Sequence, residues 1–282
     1  MKLGIATFPT DASTAPGTLG RLVEERGFES LWFSEHSHIP ASRRSPYPQG
    51  GDLPPFYHEV HDPFVALAAA AEATRELKLG TGICLVVQRD PFHLAKEVAT
   101  LDRISKGRFL FGVGAGWNRE EMEDHGTDFT RRFGLLRERI EAMKGIWSDE
   151  RAEYHGEQVD FGPILPGPRP VQQPHPPIHV GGGWPHGARR AIRYGNGWIP
   201  LAGREKNATA LVSDFRRLVE DAGRRPDEFE ITAYGLVLPG AEELKRLAEA
   251  GYDRAVLGLM PSGDEGTLRF LDELAKRVEA VG

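Results

Sequence analysis

The sequence predicts an α/β fold, a single (β/α)8 barrel spanning residues 1–282. Three observations predict it. Strand-like and helix-like runs alternate along the whole chain, eight of each, which is the order of such a barrel. Runs such as LKLGTGICLVV (77–87) and RFLFGVGAGW (108–117) are apolar without in/out alternation, as strands buried on both faces are. Their C-terminal ends carry Gly80, Gly82, Gly112, Gly114 and Gly116. α/β folds bind ligands at those ends, and glycine lets backbone approach a flat or charged ligand closely.

Residues 2–7 read as the first strand. Residues 16–26 form a helix with Pro16 in its first turn and Gly27 at its stop. Residues 29–34 are the second strand. A polar loop over 35–62, rich in Pro, His and Ser, has the length of a functional lid. Pro63 opens an alanine-rich helix, 77–86 is the third strand, 91–105 the third helix and 108–113 the fourth strand. Residues 131–148 form an amphipathic helix with Phe133, Leu136, Ile140, Met143 and Trp147 at helical spacing on its core face. An excursion over 151–177 holds a short polar strand pair and seven prolines. The alternation then resumes, with strands at 178–180, 197–201, 229–237 and 254–259 and helices at 187–194, 207–222, 241–250 and 265–278.

Composition narrows the function. Hydrophobic content of 40% supports a sizeable core, and a net charge of −6 without a basic block speaks against nucleic acid or an anionic membrane. The single cysteine, Cys84, lies in a buried strand, which excludes a disulfide framework and fits a cytoplasmic protein. The N-terminus enters a strand directly rather than a signal peptide, and no apolar run approaches bilayer length. GVGAGW faintly resembles a dinucleotide fingerprint. However, it follows the fourth strand, and no acid-ending strand lies about 20 residues on.

Reading the strand ends in order gives the candidate site. The second strand delivers Ser34-Glu35-His36-Ser37-His38, the third Gly82-Ile83-Cys84 and the fourth Gly114-Ala115-Gly116-Trp117-Asn118. The fifth delivers Gly181-Gly182-Gly183-Trp184 and the sixth Trp198. A mouth rich in glycine and tryptophan and poor in carboxylates suits a large planar ligand. Glu35 and His36 are the acid/base candidates, since a histidine beside a carboxylate exchanges protons near neutral pH. The alternative is that Glu35 caps the loop and His36 packs beneath it. The HxH pair His36-x-His38, with His58, Glu59, His61 and Asp62, invites a metal reading, but no strand end supplies the rest of a ligand set. No metal is therefore expected. Backbone N–H groups at Gly181–Gly183, before a helix start, suit a phosphate. Arg189 and Arg190 read as surface residues, and Glu120 and Glu121 as a helix cap after Trp117.

The block TGICLVVQRDPFHLAKEVATLDRISKGRFLFGVGAGWNREEME resembles the bacterial luciferase-like superfamily, and so do LWFSEHSHIP before it and PPIHVGGGWPHGARRAIRYGNGWIP after it. Within that superfamily the chain looks like the short coenzyme F420-dependent oxidoreductases. The resemblance implies a luciferase-like TIM barrel. It also implies a non-proline cis peptide at Gly82-Ile83 or one bond on, propping the back of a deazaflavin ring. Glu35 and His36 would contact that ring and donate a proton, although aspartate is commoner in the first position. Gly82, Ile83, Cys84, Gly114, Ala115, Gly116, Trp117, Gly181, Gly182, Gly183 and Trp184 would bind the cofactor. The sugar-phosphate dehydrogenase branch carries a glutamate where Trp117 stands, so that substrate is not expected.

The first expectation is an oxidoreductase moving a hydride between coenzyme F420 and a small organic substrate, with Phe8, Tyr57 and Trp198 as substrate contacts beneath the 35–62 lid. The alternative is an FMN-dependent luciferase-like monooxygenase fed by a separate reductase. A flavin-binding protein without turnover, or a metal-dependent barrel hydrolase, is the reading from another class. A homodimer is common among proteins of this kind.

Overall fold

The barrel grows from short parallel strands whose side chains are apolar on both faces. In this computed structural model, residues 1–200 and 208–279 are described. The chain runs through β1 (Lys2–Thr7), α1 (Pro16–Glu25), β2 (Ser30–Phe33), α2 (Pro63–Ala73), β3 (Lys78–Thr81), β4 (Cys84–Leu85), α3 (Pro91–Ile104) and β5 (Phe109–Gly114). It continues with α4 (Arg119–Asp124), α5 (Arg132–Ser148), β6 (Ala152–His155), β7 (Asp160–Ile164), β8 (Ile178–Gly181), α6 (His186–Tyr194) and β9 (Gly197–Ile199). The remaining elements are α7 (Ala208–Asp221), β10 (Glu230–Leu236), α8 (Ala241–Ala250), β11 (Arg254–Gly258) and α9 (Asp264–Glu279). The expected bounds Leu201 and Asn207 lie outside the described residues.

The sheet order β3-β2-β1-β11-β10-β9-β8-β5-β4 closes because β3 also pairs with β5. Eight strand positions result, all parallel, with β3 and β4 as two halves of one strand. The break between them is a correction to the continuous strand expected over 77–86. Gly80 pairs with Leu110, and Cys84 with Val113, so four steps on one strand match three on the other. One extra residue is thus bulged out at Gly82-Ile83, where the peptide is cis. Such a bulge re-aims side chains at a barrel rim.

Glycines set the barrel's interior. A side chain on Gly80 would overlap the indole of Trp32, which is fully buried with Ala6, Leu110, Ile199 and Val256 inside the barrel. The larger core lies between barrel and helices and includes Trp147, whose Nε1 donates to the Ala95 carbonyl at 2.9 Å. Helix starts follow local chemistry. Asp62 accepts from Val65 N ahead of Pro63, and Asp90 accepts from Phe92 N and His93 N ahead of Pro91. Excursion 151–177 forms the antiparallel β6–β7 pair and then folds back onto α3. Buried Asp102 holds it there, accepting from Val171 N and Gln172 N at 2.7 and 2.9 Å.

Two further differences from expectation bear on the site. A short helix, α4, follows β5, making nine α-helices among the described residues where eight were expected. Its six residues are too few for a periodic signal. Phe133 does not join the core face of α5. It is 38% exposed, and its ring contacts the Arg132 and Arg190 guanidiniums.

Candidate active site

The mouth of the barrel is assembled by three segments: the bulge, the end of β2 and α4. The bulge is pinned first. The Gly82 carbonyl accepts from Ser34 Oγ and from Tyr234 Oη, each at 2.9 Å. Burial holds the Tyr234 phenol well above its usual pKa, so it stays a donor. Ile83 then lies over glycine: a side chain on Gly114 would overlap its Cδ1, and one on Gly181 would crowd its Cγ2. Two strand ends thus leave room for one aliphatic knob between them. Cys84, behind it, is fully buried, and burial raises its thiol pKa, so it packs as a small apolar group.

Glu35 and His36, just past the end of β2, face different partners. Glu35 accepts from Leu85 N and from Arg89 Nε, both at 2.6 Å. Arg89 is shared with Asp62 and Glu97 and lies over the Phe64 ring. Glu35 therefore anchors β4 behind the bulge. The carboxylate on His36 is Glu121 of α4, with Oε2 at 2.8 Å from Nδ1. Both side chains are buried, 6% and 1% exposed. Among the described residues Nε2 has no hydrogen-bond partner.

Glu120 and Glu121 do not cap α4. Asn118 does, accepting from Glu121 N, and the two glutamates tie the lid down. Glu121 Oε1 accepts from Ser37 N at 3.0 Å, and Glu120 accepts from Ser45 N at 3.2 Å. His38 pairs with Asp124 at 3.0 Å, and Ser37 Oγ lies 2.7 Å from His125 Nε2. The HxH pair thus splits: His36 turns inward and His38 joins the latch. No group of three or more metal-ligating side chains able to hold an ion occurs among the described residues.

Aromatic rings wall the histidine. Tyr57 and Trp117 lie 5.2 and 5.7 Å from its ring. Tyr47 bridges them, at 5.5 Å from Tyr57 and 6.1 Å from Trp117. Phe8 packs on Tyr57 at 4.6 Å, and Phe56 stacks on Tyr57 at 5.1 Å. The lid is held to the end of β1 by a bridge between Thr10 and Val60 and by His61 N donating to the Pro9 carbonyl. Trp198 lies elsewhere. It is fully buried, stacks on Phe215 at 5.0 Å, and donates from Nε1 to the Gly182 carbonyl at 2.8 Å. Trp184 lies 6.0 Å from it.

The phosphate candidate sits at the end of β8. Gly182 has φ +144, outside the comfortable range of other residues, and a side chain there would overlap the Arg190 guanidinium. Gly187 packs directly on Gly182, so α6 starts against the loop. Gly116 also has a positive φ and turns the chain from β5 toward α4 with Ala115 buried beside it. These features fit a flat ring bearing a phosphate tail. The floor is an aliphatic knob between glycines, and glycine backbone with an adjacent guanidinium stands where an anion would lie.

A parallel barrel with a buried histidine–carboxylate pair and an aromatic mouth is the frame of a cofactor-dependent oxidoreductase. The family model for luciferase-like monooxygenases matches residues 10–281, and the chain belongs to that family. It is 36% identical over 282 residues to an uncharacterized protein of Mycobacterium tuberculosis, covering 99% of each. It is 29% identical over 232 residues to the F420-dependent glucose-6-phosphate dehydrogenase of Kineococcus radiotolerans, covering 77% of this chain and 63% of that one. Its fold matches the monooxygenase RslO1 from Streptomyces bottropensis with a TM-score of 0.78 at 23% identity, over 99% of both chains. No helix among the described residues is long and apolar enough to cross a membrane.

Proposed function

We propose that this protein is an oxidoreductase that moves a hydride between coenzyme F420 and a small apolar organic substrate, with His36 exchanging the accompanying proton. The observation that carries the reading is the buried His36–Glu121 pair, walled by Tyr57 and Trp117; His36 stands two residues on from Ser34, which holds the bulge at Gly82-Ile83. The F420-dependent relative supports the choice of cofactor. Ile83 and the glycines of β5 and β8 would support the ring, and Gly181–Gly183 the phosphate.

When bound, the deazaflavin supplies or accepts the hydride. The protein positions the substrate and handles the proton. Glu121 holds Nδ1–H and fixes the imidazole orientation, leaving Nε2 for the reacting group. A carbon that receives hydride leaves its heteroatom needing a proton, which Nε2–H donates; in the reverse direction Nε2 removes it. The lid rings exclude water from this exchange.

Separate titration of the purified protein with coenzyme F420 and with FMN tests the reading. Micromolar binding of F420 with weak binding of FMN is the expected result. Tight FMN with weak F420 moves the chain to the oxygen-using flavin branch. The variant His36→Ala is expected to keep cofactor affinity while losing turnover of reduced F420 by about 10²- to 10⁴-fold on any carbonyl substrate found by screening. Full activity in that variant would remove His36 from the chemistry.

A further inference from the structure

Among the described residues, Arg132 and Arg190 at the mouth have no carboxylate partner, and the exposed Arg119 beside them has only a distant one. Arg119 lies 4.5 Å from the centre of the Phe129 ring, and Arg132 lies 3.7 Å from the same ring. Arg132 also lies 4.3 Å from the Phe133 ring, and Arg190 4.0 Å. Arg119, Phe129, Arg132, Phe133 and Arg190 thus form one continuous chain of cation–ring contacts. Among the described residues no carboxylate lies within ion-pair distance of Arg132 or Arg190, and Arg119 has only Glu123 at 3.9 Å. Nε of Arg132 and of Arg190 is buried with no hydrogen-bond partner.

The placement compounds the imbalance. Arg119 is the first residue of α4, Arg132 the first of α5, and Arg190 the fifth of α6. These helices begin at the C-terminal face of the barrel, and a helix N-terminus is the end that disfavours a cation. Burial, then Arg190 and Arg119, lower the Arg132 pKa. Like charges, orphaned donors and, for Arg119 and Arg132, the wrong end of a helix dipole are all relieved by one change, the arrival of anions.

We propose that Arg119, Arg132 and Arg190 form an anion clamp for the carboxylates of the glutamate tail of coenzyme F420, and that the clamp selects this cofactor over FMN. The inference rests on the hydride-transfer reading above. It goes further, because Gly181–Gly183 already offers backbone for a phosphate, which both cofactors carry. The arginines extend away from that loop along α5 and α4, where a chain of carboxylates continues and FMN has ended.

The test compares three probes by fluorescence titration at rising salt: coenzyme F420, its glutamate-free form (which keeps ring, phosphate and lactyl carboxylate), and FMN. The wild type is expected to bind F420 at least tenfold tighter than the glutamate-free form, with a steeper salt dependence. Arg132→Gln is expected to weaken F420 tenfold or more and the glutamate-free form less than threefold, whereas Arg190→Gln, beside Gly182 of the phosphate loop, should weaken both. Exposed Arg119→Gln, which carries little folding risk, should weaken F420 several-fold in the same direction. Equal affinity of the wild type for both deazaflavin forms overturns the clamp and leaves the hydride reading standing. Equal weakening of both forms by Arg132→Gln and by Arg119→Gln likewise overturns it. Binding of FMN with neither deazaflavin overturns clamp and cofactor reading together.

Discussion

The two ends of the barrel handle charge in opposite ways. At the N-terminal end of the strands, Arg254 is 1% exposed and held on every side. It donates to both oxygens of Glu29 at 2.8 and 2.9 Å and to Glu230 at 2.9 Å, while Lys2 also reaches Glu230. Glu29 precedes β2, and Lys2, Glu230 and Arg254 open β1, β10 and β11, so the cluster staples four strands. At the other end Arg89 is fully paired, but among the described residues Arg132 and Arg190 have no carboxylate within ion-pair distance and His36 Nε2 has no hydrogen-bond partner. A fold retains uncompensated polar groups where something else completes them. The compensated end is structural, and the uncompensated end is where ligand and chemistry belong.

Removing a partner from each end is the most direct test of that contrast. Arg254→Met leaves Glu29 and Glu230 partly buried without their cation, and is expected to cost about 3–5 kcal/mol, read as a lowered urea midpoint. A change under about 1 kcal/mol would mean that the cluster is not what fixes the strand ends.

His179 sharpens the comparison by pH. It is fully buried among these charges, with Nε2 3.8 Å from Glu230 and neither ring nitrogen hydrogen-bonded among the described residues, and burial followed by Arg254 lowers its pKa to about 4. The folded state therefore binds less proton than the unfolded chain between about pH 4 and 6.5. Stability from this group is complete above that window and is lost as pH falls through it, by about 3 kcal/mol in all. Glu230 acts lower: burial raises its pKa, but Arg254 and Lys2 pull it down to about 2, so its contribution fades only in stronger acid. Denaturation across pH should show the slope between 4 and 6.5, and His179→Gln should flatten it. An unchanged slope would assign acid sensitivity elsewhere.

At the mouth the corresponding test is Glu121→Gln, which keeps the shape but removes the charge on His36 Nδ1. Turnover should fall about 10- to 100-fold with cofactor affinity nearly unchanged, because the imidazole loses the carboxylate that orients it. Loss of cofactor affinity with unchanged turnover at saturating cofactor would make Glu121 a lid tie and nothing more.

The barrel was legible in the sequence because alternation and strand-end glycines are local signals. The bulge was legible only through family resemblance, since LGTGICLVV reads as unbroken strand. Adjacency in sequence suggested Glu35 as the partner of His36, whereas the fold supplies Glu121, 85 positions away. No local pattern announces a contact across the mouth. Phe133 misled for a related reason. Helical spacing put it on the core face of α5, but at the first turn of that helix the face meets arginines instead of core.

The smallest expected effect is the most telling for the contrast between the two ends. Arg190→Gln removes a cation that has no carboxylate partner among the described residues and that sits near a helix start. Its guanidinium contributes ring contact with Phe133, worth about 0.5–1 kcal/mol at a partly exposed site, against repulsion from Arg132 and burial of an unsatisfied Nε. These terms nearly cancel, so stability without cofactor should change by less than about 1 kcal/mol in either direction. Placed beside Arg254→Met, the same chemical deletion should thus cost several times less at the mouth than at the base. A loss at Arg190 comparable to that at Arg254 would mean that the arginine chain is part of the scaffold, and the division between a compensated base and a ligand-ready mouth would fall with it.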